Sequence, residues 1–158
     1  MMSLLRRGLF ALLAFSLITL GTNGRTIEAQ SQENSRDAAV VVDAATGEVL
    51  FSRHADSSRF PASLTKMMTL YLTFEALSQG KAHLDDVLTV SPRAASQPPS
   101  KLGLPAGQTI TLDDAMRATA VRSANDMALA IGEHLGGAEA NFTAMMTRKA
   151  QPLGMTQP

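Results

Sequence analysis

Pro61-Ala62-Ser63-Leu64-Thr65-Lys66-Met67-Met68-Thr69-Leu70-Tyr71-Leu72-Thr73-Phe74 is the stretch on which the fold turns. Leu64, Met67, Met68, Tyr71, Phe74 and Leu77 recur at intervals of three and four, the period of a helix, and Gly80 ends the pattern. Leu70 and Leu72 carry apolar character onto the other face, which places this helix in the middle of the protein. Between Leu64 and Phe74 the only charged residue is Lys66. Ser63 and Lys66 are three positions apart, so their side chains share a helix face. An apolar surrounding and the positive end of a helix both disfavour the ammonium form, which lowers a lysine pKa toward the range where the neutral amine acts as a base. A serine nucleophile needs such a base beside it, and a helix N-terminus offers backbone N–H groups to an oxyanion. The plain alternative is that Ser63 caps the helix while Lys66 reaches out to water. A second Ser-x-x-Lys match, Ser78-Gln79-Gly80-Lys81, straddles the Gly80 helix stop and lacks this setting.

Upstream, Ala39-Val40-Val41-Val42 and Glu48-Val49-Leu50-Phe51 flank Ala44-Ala45-Thr46-Gly47, the pattern of a β-hairpin. Two strands alone are marginal in water, so this hairpin needs more sheet or a helix layer. Downstream, residues 91–108 hold four of the seven prolines and two glycines, and read as an ordered loop. Thr111 is placed to cap a helix carrying Asp113 and Asp114 in its first turn and ending near Arg122. Helices are expected over Asp126 to Leu135, closed by Gly136-Gly137, and over Ala138 to Ala150, with Pro152 ending the last. Between two of them lies Ser123-Ala124-Asn125-Asp126, where a short loop can aim a hydroxyl and an amide into a groove. Read plainly, Ser123 and Asn125 are caps for the helix that follows.

The chain has 158 residues, 14 Lys+Arg, 14 Asp+Glu and no cysteine. A zero net charge without a basic run argues against a nucleic-acid partner, because phosphate binding draws on clustered positive charge. The absence of cysteine excludes a disulfide framework, a thiolate metal site and a Cys nucleophile. Arg6 and Arg7 followed by the apolar run Leu9 to Leu20 and then Gly21, Asn23 and Gly24 read as a secretory signal peptide over residues 1–29. The run is too short to cross a bilayer, so membrane contact is expected to be transient. Cleavage fits after Ala29 or near Gly24. Loss of Arg6, Arg7, Arg25 and Glu28 would leave 11 basic and 13 acidic residues, net −2. Residues 30–37 form a polar, flexible lead-in, and the ordered chain starts at residue 38.

The stretches Val42 to Leu50 and Pro61 to Thr69 resemble the serine D-alanyl-D-alanine carboxypeptidases, the low-molecular-mass penicillin-binding proteins. The likeness continues through Leu84-Asp85-Asp86, Ser100-Lys101-Leu102-Gly103-Leu104, Ser123-Ala124-Asn125-Asp126 and Phe142 to Met155. It implies an α+β fold of the DD-peptidase/β-lactamase type, of which residues 38–158 would be the N-terminal part, a β-hairpin plus the helical cluster with the remaining sheet strands absent. It implies Ser63 as acyl nucleophile, Lys66 as general base, Ser123 as proton relay and Asn125 as a hydrogen-bonding partner of the substrate amide. The implied partners are peptidoglycan stem peptides ending in D-Ala-D-Ala and, as acylating inhibitors, β-lactams. No cofactor or metal is implied, and the location would be the periplasm or cell envelope.

Two departures stand out. Ala124 occupies a position where many members carry Gly, which is tolerable unless the turn needs a positive φ. The family's K-T-G element, which binds the terminal carboxylate, is not supplied by Lys66, Lys81, Lys101 or Lys149, since Met, Ala, Leu and Ala follow them. The 158-residue polypeptide is therefore expected to be inactive. Two other functions fit the same residues: a serine β-lactamase with its deacylating carboxylate elsewhere, and a non-catalytic peptidoglycan-binding module of the envelope.

Overall fold

The computed structural model describes residues 37–156 and 158, within two compact units, 1–55 and 56–158. The signal peptide read over 1–29 and the lead-in up to residue 36 lie outside the described residues.

The first unit contains the anticipated hairpin. Strands β1 (Ala39–Val42) and β2 (Val49–Arg53) pair antiparallel with Val40 opposite Ser52 and Val41 opposite Phe51, and the register shifts between Val41 and Val42. One carboxylate oxygen organises the turn: Asp43 Oδ1 accepts from Ala45 N at 2.9 Å, Thr46 N at 2.8 Å and Thr46 Oγ1 at 2.9 Å. Those bonds hold the Asp43 carboxyl below its ordinary pKa, the Thr46 amide contributing most. Gly47 then takes a φ of +77°, which lets its N–H return to Asp43 O at 2.9 Å. An ion pair between Arg53 and Asp37 extends the open end of the hairpin. Val40, Val41, Val42, Val49, Leu50 and Phe51 all remain exposed, as befits a ribbon that needs another layer.

In the second unit a single 3-10 turn at Ala62–Leu64 leads into α1 (Thr65–Ser78). There follow β3 (Val87–Thr89), the one-turn α2 (Pro92–Ala95), β4 (Thr109–Thr111), α3 (Leu112–Arg122), α4 (Asn125–Gly136) and α5 (Glu139–Ala150). Thr111 caps α3 as anticipated, its Oγ1 accepting from Asp114 N at 3.2 Å. Gly137 closes α4 with a φ of +70°, and Pro152 falls in a short 3-10 turn after α5. The short ladder of β3 and β4 pairs Leu88 with Ile110, a second two-stranded sheet that the sequence reading lacks. Three-residue strands are too brief to show an alternating pattern, and Thr111 already reads as a cap.

Leu88, Val90, Ala94, Leu112, Ala115, Met116, Ala124, Met127, Ala130 and Ile131 form the core beneath this ladder. Phe142 of α5 packs into a trough on α4 made by Gly132 and Gly136. A Cβ at Gly132 would sit 2.7 Å from Phe142 Cδ1, and one at Gly136 would sit 2.8 Å from the Phe142 backbone N. The absent side chains are what let α4 and α5 approach. Glu75 of α1 and Lys149 of α5 pair at 2.6 Å, with the ammonium 5.9 Å from the Tyr71 ring centroid.

The placement of α1 corrects one expectation. Its buried residues are Thr69, Leu72 and Thr73, with Leu70, Ala76 and Leu77 partly buried against the core. Thr73 Oγ1 donates to Thr69 O at 2.7 Å, which satisfies a hydroxyl that burial would otherwise penalise. Leu64, Met67, Tyr71 and Phe74, much of the stripe that carries the helical period, are exposed by 45% or more. Periodicity identifies the helix, but an apolar surface on both sides does not tell which side meets the core of this unit.

Candidate active site

Ser63 lies in the 3-10 turn just before α1, and the preceding Ala62 has a φ of +48°. A non-glycine residue in the left-handed region stores backbone strain, of the kind that recurs beside reactive groups. The N-cap of α1 is Leu64 and has no side-chain cap bond, so Ser63 does not serve as a helix cap. Its hydroxyl instead accepts from Lys66 Nζ at 3.3 Å.

Lys66 is in the first turn of α1, where a cation opposes the helix dipole and no acidic residue offsets it. It does not reach into open water. Nζ donates to Asn125 Oδ1 at 2.6 Å, across to the first residue of α4. Lys66 and Asn125 line a groove of about 290 Å³ together with Thr65, Thr69, Leu129 and Met146. Burial in this groove pushes the Lys66 ammonium below the ordinary lysine range. The decoy behaves differently: Ser78 Oγ turns back to donate to Glu75 O at 2.8 Å, and Gly80 reverses the chain before Lys81 with a φ of +64°.

The Ser123-to-Asp126 segment divides its work residue by residue. Ser123 ends α3 in the left-handed conformation, φ 54° and ψ 38°, and is half-buried; its hydroxyl makes no hydrogen bond to Ser63, Lys66 or Asn125 among the described residues. Ala124 has φ −65° and ψ 115°, an extended conformation open to any residue, so alanine at this position carries no strain. Asn125 is not a cap. Its Nδ2 donates to Pro98 O at 2.8 Å while its Oδ1 faces Lys66. The structure thus brings Ser63, Lys66 and Asn125 into one hydrogen-bonded chain and holds Ser123 two residues away on the adjoining helix end.

Asp126 has a part that the sequence reading did not assign. It is fully buried, and its carboxylate accepts from Leu102 N at 2.9 Å, Gly103 N at 2.8 Å and Met127 N at 2.9 Å. These bonds tie the loop after α2 to the start of α4. Ser100 adds two more, donating Oγ to Arg122 O at 2.7 Å and accepting at its own carbonyl from Asn125 N at 2.8 Å. A fully buried aspartate is rare enough to invite a search for partners, but its partners are backbone amides, two of them more than twenty positions away, which leave no mark in side-chain identity.

A helix-entry serine bonded to a partly desolvated lysine, with an amide from a second helix completing the chain, is the combination of groups that serine acyl transfer calls for. Residues 25–158 match the model of the peptidase S11 family, D-alanyl-D-alanine carboxypeptidase, and the chain belongs to that family. It is 36% identical over 118 residues to D-alanyl-D-alanine carboxypeptidase DacF of Bacillus subtilis, covering 75% of this chain and 30% of that protein. The crystal structure of D-alanyl-D-alanine carboxypeptidase DacD from Francisella tularensis matches with a TM-score of 0.72 at 33% identity, over 78% of this chain and 30% of that one. Penicillin-binding protein D2 of Listeria monocytogenes, solved in its cefotaxime-bound form, matches with a TM-score of 0.66 at 31% identity, over 77% of this chain and 49% of that one. The described part therefore has the α+β DD-peptidase fold in part, and the chain spans 30% of the length of DacF.

Proposed function

We propose that the protein is an exported serine D-Ala-D-Ala carboxypeptidase that trims peptidoglycan stem peptides through an acyl-enzyme on Ser63. The observation that carries this reading is the Ser63–Lys66–Asn125 chain, with Lys66 Nζ 3.3 Å from the serine oxygen and its pKa lowered by burial. The neutral Lys66 amine takes the Ser63 hydroxyl proton as Oγ attacks the carbonyl of the penultimate D-Ala. The C–N bond to the terminal D-Ala then breaks, and Ser123 passes a proton to the departing amine. Water, activated by the same lysine, hydrolyses the ester, releasing the shortened peptide and restoring Ser63. In this scheme Asn125 also holds the substrate amide through the N–H that Pro98 leaves unused. Membership of the family supports the substrate class, and the cefotaxime-bound relative supports β-lactams as acylating inhibitors. The charged and apolar pattern of residues 1–29 supports export to the periplasm or cell envelope.

No lysine in the 158 residues is followed by Thr-Gly, the element that by family likeness binds the terminal carboxylate. Removing even one oxyanion donor costs about 10² to 10³ in rate, so the 158-residue polypeptide alone is expected neither to cleave a D-Ala-D-Ala peptide nor to label with a fluorescent penicillin. The test of function is release of D-alanine from a stem pentapeptide by the complete gene product, and its loss in Ser63→Ala. Release that persists in the variant would reject Ser63 as the nucleophile.

A further inference from the structure

The carboxamide of Asn125 has two orientations related by exchange of its oxygen and nitrogen, and only one of them serves Lys66. As found, Oδ1 accepts from Lys66 Nζ at 2.6 Å and Nδ2 donates to Pro98 O at 2.8 Å. Exchanging the two would set donor against donor at the Lys66 ammonium and, whatever the state of Lys66, acceptor against acceptor at Pro98. The Pro98 carbonyl therefore selects the orientation, and it can do so only if the loop that carries it stays in register with the start of α4. Three ties keep that register: Ser100 Oγ on Arg122 O, Asn125 N on Ser100 O, and Leu102 N with Gly103 N on the Asp126 carboxylate. Asp126 is 0% exposed and takes part in no ion pair among the described residues, its charge being met by backbone N–H groups alone. Holding a carboxylate there without a cation is expensive, which makes sense if what it secures is geometry next door.

We propose that Asp126, through the 98–103 loop it pins, is a positioning residue that fixes the Asn125 carboxamide with its oxygen toward Lys66. As a statement about rate this rests on the Ser63 reading above; as a statement about Lys66 it does not. An oxygen acceptor favours the ammonium form, so its loss lowers the Lys66 titration midpoint still further. The experiment follows the Lys66 midpoint by NMR of ¹³C-labelled lysine in the complete gene product, wild type and Asn125→Ala, Asp126→Asn, Ser100→Ala, Asn125→Ala/Asp126→Asn and Ser100→Ala/Asn125→Ala variants. Asn125→Ala is expected to move the midpoint down, Asp126→Asn to move it the same way, and the double variant to go no further than Asn125→Ala alone. A simple loss of the Asp126 charge would instead add in full to the Asn125→Ala effect and would overturn the proposal, as would a midpoint that Asp126→Asn leaves in place. Ser100→Ala changes no charge and weakens a single tie. If Asp126→Asn does not fold, Ser100→Ala must still lower the midpoint in the Asn125 background and not in the Asn125→Ala background, or the proposal fails. The rate of penicillin acylation, measured in parallel, is expected to fall about tenfold in Asp126→Asn with the same lack of additivity. Absence of acylation in the wild type would reject the Ser63 reading and leave the titration result to decide this one.

Discussion

Lys66 and Asn125 stand 59 positions apart in the chain and meet with 2.6 Å between Nζ and Oδ1. That bond joins the first turn of α1 to the first residue of α4, and it gives a lysine beside an exposed serine a partner that is neither an anion nor water. An anionic partner would pull the lysine pKa up; a neutral amide leaves burial as the prevailing influence, and the ammonium is pushed down.

The pH dependence of acylation follows from that direction. Below its pKa in the folded protein Lys66 is an ammonium with no lone pair for the Ser63 proton, and above it the amine is free. Acylation of Ser63 in the complete gene product is expected to rise with pH along a limb centred below the value of about 10.4 for free lysine. Lys66→Arg, protonated at every accessible pH, is expected to be slower by about 10² to 10⁴. A stopped-flow profile that is flat in pH, or an arginine variant close to wild type in rate, would contradict this.

Removing the amide while keeping the serine and lysine separates positioning from chemistry. Asn125→Ala releases Lys66 Nζ and strips Pro98 O of its donor, both at an exposed or half-buried edge. Each lost hydrogen bond is worth about 1 kcal/mol to the fold, whereas a loosened base costs acylation about 10 to 10²-fold. Thermal unfolding and penicillin acylation should therefore part company, the first lowered by only several degrees and the second much slower.

The trough under Phe142 distinguishes two glycines. Alanine at Gly132 would press on the ring edge at 2.7 Å, and alanine at Gly136 on the Phe142 backbone nitrogen at 2.8 Å. Alanine gains about 1 kcal/mol of helix propensity, but overpacking costs about 1–3 kcal/mol, so both variants are expected to lose stability in urea unfolding. Phe142→Leu is expected to recover part of the loss for Gly132→Ala and none for Gly136→Ala, because a side chain can give way and a backbone cannot. Equal rescue of both would show that the helices simply move apart.

In the hairpin, the depressed Asp43 pKa sets a different pH dependence. A carboxyl whose folded pKa lies below its unfolded value stabilises the fold above the unfolded pKa and ceases to do so as pH falls through the folded one. Protection of the Gly47 and Asp43 amides from hydrogen exchange is expected to hold at neutral pH and fall in strong acid, and to be lost at all pH values in Asp43→Ala. Unchanged protection in Asp43→Ala would show that Gly47 alone shapes the turn.

How much of this the sequence discloses depends on how local the cause is. The hairpin, the Thr111 cap, the Gly137 stop and the break after α5 each follow from a few neighbouring residues, and all of them lie where the pattern puts them. Ser63 and Lys66 share a face because three positions make nearly one helical turn, so their contact is legible too. The Lys66–Asn125 bond could be foreseen only by family likeness, since nothing local relates residues so far apart. The Asp126 clamp could not be foreseen, because its donors are amides, which every residue but proline supplies. The exposure of Leu64, Met67, Tyr71 and Phe74 is not legible for a related reason: hydrophobic spacing says that a face is apolar and not what lies against it.

The central claim, that Ser63 is the nucleophile served by Lys66, is tested most directly by mass spectrometry of the complete gene product after brief exposure to penicillin. The account predicts one adduct per molecule, mapped by peptide sequencing to Ser63, absent in Ser63→Ala and strongly slowed in Lys66→Arg. An adduct on any other residue, or one that persists at wild-type rate in Ser63→Ala, would contradict it.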